Sequence, residues 1–135
     1  MLLSSNKLNH REMKTVFLYL MAVAYLAAGI YHFANPDFYK KIMPPYLPYH
    51  IQLIYVTGVC EILIGLFLLP ASTRTYAAWF LIAFLILIFP ANIQMAINFW
   101  QKKNPYLWIA LLRLPLQLVL IWWAYIYTKA IPDEV

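Results

Sequence analysis

Four runs of almost unbroken apolar residues divide the chain, at 15–33, 51–69, 76–99 and 107–127. Each is close to the ~20 residues with which a helix crosses a ~30 Å hydrocarbon core. Between them stand short polar or proline-rich breaks, and residues 1–14 form a polar, basic tail with Lys7, Arg11 and Lys14. The pattern predicts an all-α fold, an integral membrane four-helix bundle with a Pro-rich segment between helices 1 and 2. The bundle occupies 15–128, and 129–135 form a C-terminal tail.

The connections differ in character. Residues 34–50 contain Asn35-Pro36-Asp37 and Met43-Pro44-Pro45-Tyr46-Leu47-Pro48, enough proline to predict a fixed, extended lid without regular helix. Residues 69–75 carry Pro70 and Ser/Thr groups suited to ending one helix and capping the next, and 101–106 make a brief link. Tyr and Trp near both boundaries form the expected aromatic belts. Lys7, Arg11, Lys14, Arg74 and Lys129 lie on one side, against Lys40, Lys41, Lys102 and Lys103 on the other. This excess places both termini in the cytoplasm by the positive-inside rule. The N-terminal residues lack the apolar core and cleavage site of a removable signal, so the first span is expected to act as the insertion signal.

Composition supports lipid as the solvent: 64% of residues are hydrophobic and only 11% charged, against about 45–50% apolar and ~25% charged in a soluble domain. The net charge of +5 is scattered through short loops, without the dense stripe of a nucleic-acid surface. A single cysteine, Cys60, makes no CxxC pair. His10, His32 and His50 lack metal-ligand spacing, and no phosphate loop or nucleophile elbow occurs.

Candidate chemistry lies in the polar residues that interrupt the apolar runs. Arg113 sits in Leu111-Leu112-Arg113-Leu114-Pro115-Leu116-Gln117. It stays protonated, and an unpaired charge in hydrocarbon costs roughly 3 kcal/mol on insertion scales. Glu61 is the one acidic residue in another apolar run, so a Glu61–Arg113 pair is expected. At ~1.5 Å per residue, Glu61 and Gln117 lie about 15 Å from the Pro-rich face, Arg113, Asn92 and Gln94 about 8–10 Å, and His32 at its edge. All six therefore share one half of the bilayer. Thr57, Gly58, Glu61 and Gly65 form one helical stripe, and Ala22, Tyr25, Gly29 and His32 another, whose small residues permit close helix approach. Pro90 and Pro115 free the carbonyls of Ile86 and Leu111 near this layer, which predicts a pocket beneath the lid. Asn92 and Gln94 point about 200° apart, so at most one faces it. The candidate ligand-binding residues are Glu61, Arg113, Asn92, Gln117 and His32. Each has a structural alternative: a pin for helix register, a hydrated histidine at a helix end, or interhelical hydrogen-bond glue. Met21, Met43 and Met95 read as core filler.

The blocks His32-Phe33 with Pro36, Met43-Pro44-Pro45-Tyr46-Leu47-Pro48, Gly58 with Glu61-Ile62 and Gly65, Phe89-Pro90-Ala91-Asn92-Ile93-Gln94-Met95-Ala96 and Arg113-Leu114-Pro115-Leu116-Gln117 resemble the DoxX-like family of small four-helix membrane proteins. The resemblance covers roughly 17–128 and implies a multi-pass protein of the bacterial inner membrane. Members of that wider group are linked to redox systems, including a quinone-reducing thiosulfate oxidase subunit and the membrane partner of methylamine dehydrogenase maturation. Without paired cysteines, thiol exchange does not carry over. The expected function is binding of a small lipophilic, quinone-like molecule in a one-sided polar pocket, with a quinone as candidate cofactor and a membrane redox partner or homo-oligomer as candidate assembly. The alternative is a non-catalytic assembly or scaffold subunit of a larger membrane complex. A transporter is disfavoured because the second half of the bilayer is apolar.

Overall fold

The apolar runs become the long helices of an all-α membrane bundle. In a computed structural model describing residues 2–43 and 48–129, the order is α1 (Leu2–Ala34), α2 (Pro36–Ile42), α3 (His50–Leu68), α4 (Ala71–Gln101) and α5 (Leu107–Ile126). Four stretches are long and apolar enough to cross a membrane: His10–Ala34, His50–Leu68, Ala71–Gln101 and Leu107–Ile126. Large apolar side chains cover the outer surface, Leu87 being 78% and Trp100 71% exposed, as expected where lipid is the solvent. The polar N-terminal segment continues α1 as helix rather than forming a separate tail.

The segment expected to be wholly extended begins with a helix. Pro36 stands in the first turn, where its missing N–H costs nothing. The Asn35 side chain caps the helix by accepting from Phe38 N at 3.4 Å. Asp37 in the first turn and Lys40 and Lys41 in the last complement the helix dipole. The helix stops at Met43, whose extended backbone is what a residue before proline adopts. Pro44, Pro45, Tyr46 and Leu47, the centre of the expected lid, lie outside the described residues.

Inside lipid, apolar burial alone does not hold helices together, so close packing and hydrogen bonds decide. Helix α1 packs chiefly on α3, α3 on α4, and α4 on α5, while α2 rests on α3 and α1. The α1–α3 contact depends on glycine: a Cβ on Gly29 would lie 2.6 Å from the Gly58 carbonyl oxygen, and one on Gly58 would lie 2.8 Å from His32 Cβ. At the α3–α4 turn, Thr73 Oγ1 donates to Phe67 O at 2.7 Å. Arg74 donates from Nε to Leu68 O at 2.9 Å and from Nη2 to Leu69 O at 2.7 Å. These bonds satisfy the carbonyls that the end of α3 leaves open.

The core is unequal along the bundle. Toward the face holding the α3–α4 turn, one cluster joins Leu18 and Met21 of α1, Ile64 of α3, Leu81 of α4 and Ala124 of α5. Toward the α2 face, a second cluster of Met95, Ala96 and Ala110, with Phe99 and Leu114 against it, joins only α4 and α5. The helices there fall into two packed pairs, α1–α3 and α4–α5.

Candidate functional site

His32 anchors the α1–α3 side. Its Nδ1 lies 2.9 Å from the Ile54 carbonyl oxygen and 3.2 Å from Thr57 Oγ1. A carbonyl only accepts, so Nδ1 carries the hydrogen. Thr57 is free to accept because its own hydroxyl donates back along α3, to Leu53 O at 2.8 Å or Ile54 O at 3.0 Å. The other ring nitrogen, Nε2, stands 3.2 Å from Glu61 Oε2. With Nδ1 fixed as donor, that contact is attractive only when one proton resides on the pair, as imidazolium and carboxylate or as imidazole and carboxylic acid. The contact is within ion-pair distance but lacks hydrogen-bond alignment, so Glu61 Oε2 is buried without a hydrogen-bond donor. Tyr25 Oη, about two helical turns deeper on α1 than His32, is also buried without a partner, and it lies within the electrostatic reach of Glu61.

Tyr39 of α2 covers this pair. Its ring stacks on the His32 imidazole with centroids 3.8 Å apart, and Tyr31 holds Phe38 and Tyr39 by edge contacts at 5.8 and 5.7 Å. Burial first, and then the Glu61 carboxylate and Tyr31, push the Tyr39 phenol up to about 12, while Arg113 pulls it down. The phenol therefore lies in the fields of both Glu61 and Arg113.

Arg113 does not form the expected direct pair with Glu61. The partner of Glu61 is His32, and the hydrogen-bond contact of Arg113 among the described residues is Nη1 to the Met95 sulfur at 3.9 Å. The reason lies in the helix arrangement: α5 reaches the bundle mainly through α4, and α3 is not its principal neighbour. A thioether is a weak acceptor for one of the five guanidinium hydrogens. Met95 thus gains a role beyond core filling. Beside it, Asn92 Nδ2 donates to Gln117 Oε1, and Gln117 Nε2 donates to Leu85 O. The carbonyl engaged is that of Leu85, next to the Ile86 carbonyl freed by Pro90. Gln94 turns away and donates to Asn98 Oδ1 at 2.9 Å, as the opposed directions of Asn92 and Gln94 require.

The five candidate residues thus divide. His32 and Glu61 belong to the α1–α3 pair of helices, and Arg113, Asn92 and Gln117 to the α4–α5 pair. Tyr39 and Tyr25 complete the first group. Tyr25 was visible in its helical stripe, whereas Tyr39 was hidden in a segment expected to lack helix. No group of three or more potential metal ligands occurs among the described residues.

These features define an all-α membrane protein in which the polar residues interrupting the spans, His32, Glu61, Asn92, Arg113 and Gln117, lie in the half nearer α2. Within that class, residues 21–128 match a family described as a domain of unknown function (DUF8561), and the chain belongs to that family. No curated protein and no solved structure matches it.

Proposed function

We propose that the chain binds a small lipophilic, quinone-like molecule between its two helix pairs, near the α2 face, and serves a redox-associated system of the bacterial inner membrane. The observation that carries this reading is a set of incomplete polar groups on α1, α3 and α5. Glu61 Oε2 and Tyr25 Oη are buried without hydrogen-bond partners, and Arg113 spends one donor on a sulfur. Buried polar groups are nearly always satisfied, so these groups call for a ligand with oxygens at its polar end. Arg113 would donate to a carbonyl or anionic oxygen. Glu61 and His32 would exchange one proton with the ligand, and the Asn92–Gln117 pair would fix the wall behind Arg113. Such side chains move protons and carry no electrons, so a redox partner supplies those. The resemblance of FPANIQMA and RLPLQ to the DoxX-like blocks supports the redox association, and the basic-residue balance supports cytoplasmic termini.

Organic extraction of the purified protein followed by mass spectrometry tests the reading. A lipophile carrying carbonyl or hydroxyl oxygens is expected in stoichiometric amount from the wild type and depleted at least several-fold in Arg113→Met and Glu61→Gln. Equal recovery from all three proteins overturns it.

A further inference from the structure

At the opposite end of the molecule, α1 and α5 present facing stripes that do not close. Met13 and Phe17 of α1 stand across from Val119, Trp122 and Ile126 of α5, around an apolar groove of about 340 Å³. The helices meet beside it through the edge contact of Phe17 with Trp123 at 6.2 Å. They also meet through Tyr127 Oη, which donates to the Lys14 carbonyl at 2.9 Å. That bond sets Lys14 level with the end of α5, at the mouth of the groove. His10 lines the groove one turn further out, on the same helical face as Lys14. Lys129, beyond the end of α5, lies over the Tyr125 ring at 5.6 Å from its centroid and is not part of the groove lining, so the charge at the mouth is that of Lys14. Glu12 is two residues from Lys14, so it projects about 200° away around the helix. The groove is therefore cationic at its mouth and apolar along its depth.

We propose that this groove is a binding site for an anionic phospholipid, with one acyl chain between α1 and α5 and its phosphate at Lys14. The chemistry matches vertically: an ammonium at headgroup level, indole rings at the interface, and aliphatic and aromatic side chains below. A groove of similar size between α3 and α4, lined by Leu63, Phe67, Tyr76 and Phe80, has no charged residue in its lining. It can take an acyl chain without choosing a headgroup.

The test uses a full-length variant in which Trp79, Trp100 and Trp108, all lipid-exposed, are replaced by phenylalanine, leaving Trp122 and Trp123 as reporters. The protein is reconstituted at pH 7 in phosphatidylcholine vesicles containing brominated phosphatidylglycerol or brominated phosphatidylcholine. One basic residue at an anionic surface changes affinity by about fivefold. Brominated phosphatidylglycerol is therefore expected to quench at about one-fifth of the mole fraction that brominated phosphatidylcholine needs. Lys14→Gln should abolish the preference, and Lys40→Gln, at the other face, should preserve it. Equal quenching by the two lipids, or a preference that survives Lys14→Gln, overturns the site.

Discussion

His32 holds one proton against a backbone carbonyl, so the proton that can leave or arrive is the one at its contact with Glu61. Removing one member of a buried ion pair costs about 3–5 kcal/mol because the other is left uncompensated. The Glu61 side chain keeps 14% of its exposure, so Glu61→Ala should fall at or below the lower end, near ~3 kcal/mol, read as a lowered melting temperature in detergent. A double-mutant cycle of His32→Asn and Glu61→Gln should return clear coupling, and strict additivity contradicts the contact. Tyr39 gives a pH signature. Its raised pKa, about 12, favours the neutral phenol in the folded protein. That contribution to stability is complete below pH ~10, the ordinary tyrosine value, and is lost as pH climbs toward 12. Subtracting the near-ultraviolet phenolate titration of Tyr39→Phe from that of the wild type should reveal one late-ionising tyrosine. Ionisation at the ordinary value contradicts the enclosure of Tyr39 by α2, Glu61 and Tyr31.

Among the helices, the α1–α3 seam is the most demanding. Gly58→Ala would press a methyl against His32 Cβ and the Gly29 carbonyl, and overpacking of this kind costs about 1–3 kcal/mol. It should lower the melting temperature and also weaken ligand retention, because the same contact positions His32. Unchanged melting would contradict the close approach. At the α3 terminus, Arg74→Lys should destabilise almost as much as Arg74→Ala, since a single ammonium cannot reproduce the fork reaching Leu68 and Leu69. Full rescue by lysine contradicts that capping role. The spans were legible because runs of 19 or more predominantly apolar residues admit few other structures. The glycine stripes were legible because helical spacing places Gly58 and Gly65 on one face with Glu61. Helix α2 was missed because proline was weighed as a breaker, although Asn35-Pro36-Asp37 is also the cap, first-turn and dipole pattern of a helix start. The direct Glu61–Arg113 pair was misjudged because periodicity gives depth and face but not which helices are neighbours.

At the scale of the whole molecule, the hydrogen bond from Tyr127 to the Lys14 carbonyl sets the start of the first span and the end of the last at one membrane face. In a Cys60→Ala background, Lys129→Cys should label with a membrane-impermeant maleimide from the side opposite to that labelling Lys40→Cys. Labelling of both from one side contradicts the four-span topology. The same architecture leaves a polar layer near one face and an apolar core toward the other, a geometry suited to binding from the membrane rather than conduction across it. The ligand proposed between the two helix pairs can be located without knowing the natural molecule. Protein labelled with ¹⁵N at histidine and arginine side chains, in lipid nanodiscs, is titrated with a short-chain benzoquinone. The His32 imidazole and Arg113 guanidinium signals should shift together and saturably while His10 stays fixed. A shift confined to His10, or none at either His32 or Arg113, would contradict that location.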